Sequence, residues 1–267
     1  MPALIEPTAL SRELENPRLL VVCVTSAASY TSGHVPGAVL VTPAELVSGT
    51  APATGTLPPP ERLTTLFDRI GYRADLDIVA YDDEGGGWAG RFLWTLDVIG
   101  HREWRYLDGG IHAWRAADLP LETRSVARAP TTSRLVIDRA PQADASELLQ
   151  RLDDEDLLIW DCRSREEYLG LKSGARRAGH IPGAVNLDWL DLMDRSRALR
   201  LRTDLEAVLA RAGIDARRDV VTHCQTHHRS GLSYLVARLL GFPRIRAYAG
   251  SWSDWGNRDD TPVATGA

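Results

Sequence analysis

Cys224 follows the apolar run Val220-Val221-Thr222-His223 and precedes Arg229 by five positions, after which the amphipathic stretch Gly231 to Leu240 begins. That order predicts a strand, a tight loop and a helix whose first turn faces the sulfur. Unpaired N–H groups and the dipole at a helix start favour an anion. Helix N-termini and cationic neighbours lower a cysteine pKa to about 3.5–7.5, and the thiolate they favour is the nucleophilic form. Cys224 is therefore the candidate nucleophile and Arg229 the candidate cation for an anionic substrate. The polar residues around them, Gln225, Thr226, His227, His228 and Ser230, complete the candidate binding set. A free cysteine at a strand end is more often a small buried apolar residue. The arginine and the anion-favouring helix start set Cys224 apart from that pattern.

His223, Cys224, His227 and His228 also invite a metal reading. Side chains of successive residues in a curled loop diverge, and the spacing matches no common zinc pattern, so no metal is expected. The two loop histidines are expected at the pocket mouth. Asp161 and Arg163, in the run Asp-Cys-Arg-Ser at another predicted strand end, are candidates for bracing the loop. An ordinary capping or surface pair would carry the same signature.

These elements recur within the chain. Gly33-His34-Val35-Pro36-Gly37-Ala38-Val39 returns as Gly179-His180-Ile181-Pro182-Gly183-Ala184-Val185, a match at six of seven positions spaced 146 residues apart. Gly100, Gly109, Trp114 and Pro120 find counterparts in Gly241, Gly250, Trp255 and Pro262. So long a period marks a duplicated domain, not a solenoid. Each half alternates strand-like runs (Leu19 to Val24, Ile78 to Tyr81, Leu157 to Trp160, Val220 to His223) with helix-like ones (Ala89 to Ile99, Ala143 to Arg151, Gly231 to Leu240). The pattern predicts an α/β fold of two tandem domains, each a mainly parallel sheet with helices on both faces. Active sites of such sheets lie beyond the carboxyl ends of the strands, where Cys224 falls. The expected division is 1–125, a linker at 126–140 where proline interrupts the periodicity, and 141–267.

An ungapped alignment of the halves places Asp83 opposite Cys224 and Trp88 opposite Arg229. Cys23 falls opposite Asp161, and Thr25 opposite Arg163. The first half thus has the scaffold without nucleophile or cation, and is expected to be catalytically inactive. Cys23 and Cys162 read as packing residues, and His34 with His180, present in both halves, as structural.

Composition narrows the alternatives. The chain has 267 residues, 44% hydrophobic and 25% charged, with a net charge of −5. That is an ordinary globular composition with no basic block for nucleic acid. Lys172 is the sole lysine, which leaves no room for a lysine Schiff base elsewhere and none for a P-loop. No stretch has the length of a membrane span, and Met1 to Leu10 lacks the regions of a signal peptide. The chain is expected to be cytoplasmic and monomeric, with Cys23, Cys162 and Cys224 as free thiols.

With an inactive first domain, Gly-His-Ile-Pro-Gly-Ala and a Cys-loop-helix element in the second, the chain resembles the two-domain rhodaneses, thiosulfate:cyanide sulfurtransferases, from about Leu19 to Ala264. The loop Cys224-Gln225-Thr226-His227-His228-Arg229 resembles that of a bacterial subgroup. It departs from Cys-Arg-Lys-Gly-Val-Thr of the vertebrate enzymes and from Cys-Gly-Ser-Gly-Val-Thr of the mercaptopyruvate sulfurtransferases. Glu167 stands where the vertebrate enzymes carry a substrate-binding arginine. The resemblance implies that Cys224 takes a sulfane sulfur from thiosulfate as a persulfide and passes it to cyanide, a small thiol or a protein thiol, without a cofactor. The alternatives are a mercaptopyruvate sulfurtransferase, a noncatalytic persulfide carrier, and a cysteine phosphatase or arsenate reductase on the same scaffold. That last class has five residues between cysteine and arginine, against four here.

Overall fold

The computed structural model describes residues 3–266. Residues 1, 2 and 267, at the outer ends of the two expected domains, lie outside the described residues. The chain runs β1 (Ala3–Ile5), α1 (Pro7–Glu13), β2 (Leu19–Val24), α2 (Ala27–Ser32), β3 (Val39–Val41), α3 (Pro60–Arg69), β4 (Asp77–Asp82), α4 (Gly87–Val98), β5 (Trp104–Leu107) and α5 (Gly110–Ala116). It continues with β6 (Gln142–Ala143), α6 (Ala145–Gln150), β7 (Leu157–Asp161), α7 (Arg165–Tyr168), β8 (Val185–Asn186), β9 (Met193–Asp194), β10 (Arg200–Leu201), α8 (Leu205–Arg211), β11 (Asp219–His223), α9 (Arg229–Leu239), β12 (Ile245–Tyr248) and α10 (Ser251–Trp255). Two five-stranded parallel sheets result, ordered β1-β5-β4-β2-β3 and β6-β12-β11-β7-β8. The predicted strands and helices are all present within a few residues of their expected bounds. Each central strand is buried on both faces, as the unbroken apolar runs require.

The duplication extends to individual contacts. Tyr30 stacks on His34 and Tyr168 on His180, both with centroids 3.7 Å apart. Each tyrosine hydroxyl donates to a carbonyl of the repeated heptad, Ala38 and Ala184, at 2.7 Å. Indole Nε1 of Trp114 donates to Pro120 O, and that of Trp255 to Pro262 O. His34 and His180 are thus parts of the packing in both halves.

These contacts also correct the alignment of the halves. Arg105 Nε donates to Asp77 at 3.1 Å, and Arg246 Nε to Asp219 at 3.1 Å, so Asp77 and Asp219 are equivalent strand starts. From Asp77 to Gly87, where α4 begins, and from Asp219 to Arg229, where α9 begins, the chain takes the same number of steps. Asp82, not Asp83, therefore corresponds to Cys224, and Gly87, not Trp88, to Arg229. The single-residue offset lies farther on, where α4 has 12 residues and α9 has 11. A strand buried on both faces carries no alternation, so its apolar run gives no register.

The compact units are not two unbroken stretches. Of the described residues, one comprises 3–46, 58–138 and 193–201; the other comprises 47–57, 139–192 and 202–266. In the first unit, residues 126–138 form no regular element but are tied down: Val126 N–H donates to Tyr30 Oη, Thr131 N–H to Asp68 O and Asp138 N–H to Val98 O. The expected linker is thus largely bound backbone. Segment 193–201 packs tightly in that unit, where a Cβ on Gly109 would meet Ala198 O at 2.6 Å. Segment 47–57 has the corresponding place in the second unit, where a Cβ on Gly55 would meet Thr226 O at 2.2 Å.

Candidate active site

β11 is the middle strand of its sheet, so Cys224 emerges at a carboxyl end walled on both sides, and it is fully buried. Its main chain is anchored by the start of α10. Cys224 N–H donates to Ser251 Oγ at 3.3 Å, Trp252 N–H to Cys224 O at 3.0 Å and Ser253 N–H to Gln225 O at 2.9 Å. Ser251 Oγ in turn donates to Tyr248 O at 2.9 Å. Ser251 has φ 53°, as has Gly110 at the equivalent position of the first unit. A serine in this left-handed conformation costs roughly 1–2 kcal/mol more than glycine, and its hydroxyl is what the position gains. Sequence reasoning missed Ser251; the signal was a serine where the other half has glycine.

The sulfur is drawn toward the anionic form. Burial alone raises a thiol pKa, but the Arg229 charge, the Ser230 N–H and hydroxyl, and His228 outweigh it and hold Cys224 below its ordinary value. Ser230 is fully buried, and its Oγ lies 2.7 Å from His227 Nδ1. With the hydroxyl proton directed at sulfur, Ser230 Oγ accepts the proton that His227 Nδ1 carries. His227 is itself fully buried, with φ 56°. It is turned inward to Ser230 and away from the mouth where it was expected, because its left-handed backbone folds the loop back. His228 is half-buried, beside the Trp189 ring at 5.7 Å. Gln225 reaches away from the loop, its Nε2 donating to Gly174 O at 3.2 Å. Thr226 is half-buried, and its carbonyl oxygen packs directly against Gly55.

Arg229 is held from the side by Glu167. Nη1 donates to Oε2 at 2.6 Å and Nη2 to Oε1 at 2.9 Å. Glu167 is the third residue of the four-residue α7 and closes a capping box with Ser164, whose N–H and Oγ both donate to Oε2. Burial pushes this carboxyl up, but Arg229 and Ser164 hold it below its usual value. Sequence reasoning noticed Glu167 only as a missing arginine.

Asp161 and Arg163 form a wholly buried ion pair, with Arg163 Nε to Oδ1 at 2.9 Å and Nη2 to Oδ2 at 2.5 Å. The guanidinium also donates to Gly179 O and stacks 4.4 Å over Trp252. The pair thus reaches the loop through Trp252, whose N–H holds Cys224 O. His223 Nε2 lies 3.6 Å from Asp161 Oδ2, yet burial pushes its pKa down to about 4, so it is neutral at pH 7.

The other two thiols differ in kind. Burial pushes Cys23 up to about 12 and Cys162 well above the ordinary value, so both are protonated at neutral pH. In the first unit the loop equivalent to Cys224–Arg229 is filled by its own strand end. Asp82 Oδ1 accepts from the N–H groups of Glu84 (3.2 Å), Gly85 (3.1 Å) and Gly86 (2.8 Å), and Oδ2 from Ala89 (2.9 Å). The equivalent loop of the other unit carries Cys224 in place of Asp82, and there the Ser230 N–H bonds the sulfur.

Comparison with known proteins agrees with this architecture. The Rhodanese-like domain model matches residues 6–117 and again 144–258. The chain is 52% identical over 263 residues to a thiosulfate sulfurtransferase of Azotobacter vinelandii, covering 98% of this chain and 97% of that protein. It is 49% identical, with the same coverage, to a thiosulfate sulfurtransferase of Pseudomonas aeruginosa. Among solved structures, the anaerobic ergothioneine biosynthesis enzyme from Chlorobium limicola, in complex with trimethyl histidine, shares the fold at a TM-score of 0.86. It is 23% identical, and the match covers 99% of this chain and 70% of that one. With two matched domains on paired parallel sheets and a cysteine loop in the second, the chain belongs to the rhodanese family.

Proposed function

We propose that the protein is a thiosulfate sulfurtransferase in which Cys224 carries the sulfur. The observation that carries this reading is the equivalence of Asp82 and Cys224. In the first unit the loop and the start of α4 surround a carboxylate with four N–H donors, and in the second a thiol takes that position with Arg229 added. A loop built to hold a negative charge, with a nucleophile at its centre, suits a reaction in which every state of the cysteine is anionic.

The Cys224 thiolate attacks the outer sulfur of thiosulfate. A new S–S bond forms, the old one breaks, and sulfite leaves with its electron pair. The persulfide left on Cys224 is then attacked at its outer sulfur by cyanide or a thiol, and the departing thiolate restores the enzyme. Ser230, Arg229 and the loop N–H groups stabilise thiolate, donor and persulfide in turn without rearranging. Gln225, Thr226, His227 and His228 shape the loop that does so, while Asp161 and Arg163 brace it. Both steps are nucleophilic displacements at sulfur, complete without a cofactor. In this reading the unit that holds Cys224, with residues 47–57, 139–192 and 202–266, is catalytic and the other is inactive, since Asp82 fills its loop. The chain acts as a monomer in the cytoplasm, a reducing compartment that suits three free thiols.

The test pairs steady-state thiocyanate production from thiosulfate or 3-mercaptopyruvate with mass spectrometry after donor treatment. One added sulfur on the Cys224 peptide, turnover that favours thiosulfate, and loss of both in Cys224→Ala are expected. Cys23→Ala and Cys162→Ala should retain most activity. Sulfur on Cys23 or Cys162 alone, or aryl phosphate hydrolysis at a comparable rate, would refute the reading.

A further inference from the structure

We propose that Gly55, a residue of the half that lacks the nucleophile, is a positioning residue for the Cys224 loop: it sets the direction of the Thr226–His227 peptide and so of the His227 N–H. The inference rests on the assignment of Cys224 as sulfur carrier. Gly55 has an ordinary backbone conformation, so it is not glycine for the sake of φ. Its need is for space. A Cβ there would lie 2.2 Å from Thr226 O, 2.5 Å from Thr226 C and 2.7 Å from Ala249 O, all backbone atoms that cannot swing aside as a side chain does.

The peptide pressed by Gly55 is the strained one of the loop. His227 has φ 56°, which a residue with a Cβ adopts only when its surroundings impose it. In a trans peptide the carbonyl and the following N–H point in opposite directions. Seating Thr226 O against Gly55 therefore turns His227 N–H to the other side. In the first unit the corresponding N–H belongs to Gly85, also at positive φ, and it donates to Asp82 at 3.1 Å. His227 N–H is thereby assigned to the same anion cradle, with Gly55 as the stop behind it.

Segment 47–57 is built to be such a stop. Ser48 N–H donates to Thr56 O at 2.8 Å, Gly49 N–H to Thr54 O at 3.1 Å, and the Ser48 and Thr56 hydroxyls meet at 2.8 Å. These bonds close the loop at its base and hold Gly55 in place. They involve no group that touches the sulfur.

The experiment compares Gly55→Ala, Thr56→Val and Cys224→Ala with the wild-type chain. It follows thiosulfate kinetics, the pH dependence of iodoacetamide alkylation mapped to Cys224, and thermal melting. To make room for a Cβ, the Thr226 peptide must shift by about 1 Å, and displacements of that size cost up to about 100-fold. For Gly55→Ala we expect kcat/KM to fall by about tenfold or more and the alkylation midpoint to move to higher pH in folded protein. A purely structural role would lower the melting temperature and leave that midpoint unmoved. Thr56→Val adds no clash and removes the Thr56 hydroxyl's bonds to Ser48 Oγ and Ala53 O, so a smaller loss in the same direction is expected. Wild-type kinetics and midpoint in Gly55→Ala would overturn the assignment. If that variant does not fold, wild-type behaviour of Thr56→Val would overturn it. Activity retained in Cys224→Ala would instead refute the sulfur-carrier reading.

Discussion

Glu167 grips Arg229 with two parallel hydrogen bonds, so the cation beside Cys224 is aimed and part-neutralised by one carboxylate. Arg229→Ala removes a charge-assisted contact worth about 1.5–3 kcal/mol, so kcat/KM for thiosulfate should fall about tenfold or more. Glu167→Gln keeps one acceptor and deletes the negative charge. At about 0.5–1 kcal/mol of relieved repulsion, KM for thiosulfate should drop about two- to fivefold. Steady-state kinetics decide both, and an unchanged or higher KM in Glu167→Gln would show that the donor does not feel that carboxylate.

The reactive form of Cys224 is the thiolate, and its pKa lies below the ordinary thiol value. Transfer from limiting thiosulfate should therefore be level above that pKa and decline about tenfold per pH unit below it. Because the Arg229 charge is the largest of the groups that lower it, Arg229→Ala should move the inflection to higher pH. An inflection at the same pH in wild type and variant would mean that the guanidinium does not act on the sulfur.

Burial pushes the His223 pKa down to about 4 in the folded protein, against 6.5 for a solvent-exposed imidazole, so the unfolded chain binds the extra proton across that window. Its contribution is fully present above about pH 6.5 and is lost as pH falls toward 4, by roughly 3 kcal/mol. Asp82, raised by burial to about 6, has the opposite sign: its contribution is present below about 4 and is lost as pH rises through 6. Hydrogen exchange between pH 7 and 5 should show protection declining around β11 and rising around β4. Parallel changes in the two strands would contradict these assignments.

Asp82→Ala should leave three loop N–H groups and that of Ala89 in α4 without their acceptor and lower the melting temperature. Sulfate, compared with chloride at equal ionic strength, should restore more of the loss in this variant than it adds to wild type, because the emptied loop accepts an anion. Asp82→Cys in a Cys224→Ala background should produce no thiocyanate, since Gly87 stands where Arg229 would be needed. Turnover by that double variant would show that the loop alone suffices.

Much of this was legible because it is local. The strand, the six-residue loop and the helix around Cys224 follow from periodicity and from one cysteine-arginine spacing. The repeated Gly-His-x-Pro-Gly-Ala motif reveals the duplication because its tyrosine-histidine stack needs those residues in both halves. What escaped was nonlocal or indifferent to side-chain pattern. Asp82 was misplaced by one residue because β4 and β11 are buried on both faces. His227 looked like a mouth residue because nothing in its identity announces a left-handed backbone. Gly55 and Thr226 are 171 positions apart, and no spacing rule joins them.

The two exchanged segments also bear on how this chain is made and inherited. Residues 47–57 leave the ribosome long before the sheet that receives them, and residues 193–201 complete a unit whose other parts were synthesised first. Neither unit can reach its final form as an autonomous stretch of nascent chain, so the last steps of folding must wait for most of the polypeptide. A single half cut near Val136 and joined to another protein would carry Cys224 without the segment behind Thr226. The duplication thus behaves as one inherited block: once the halves had traded these loops, neither could be lost or shuffled away without leaving the other incomplete.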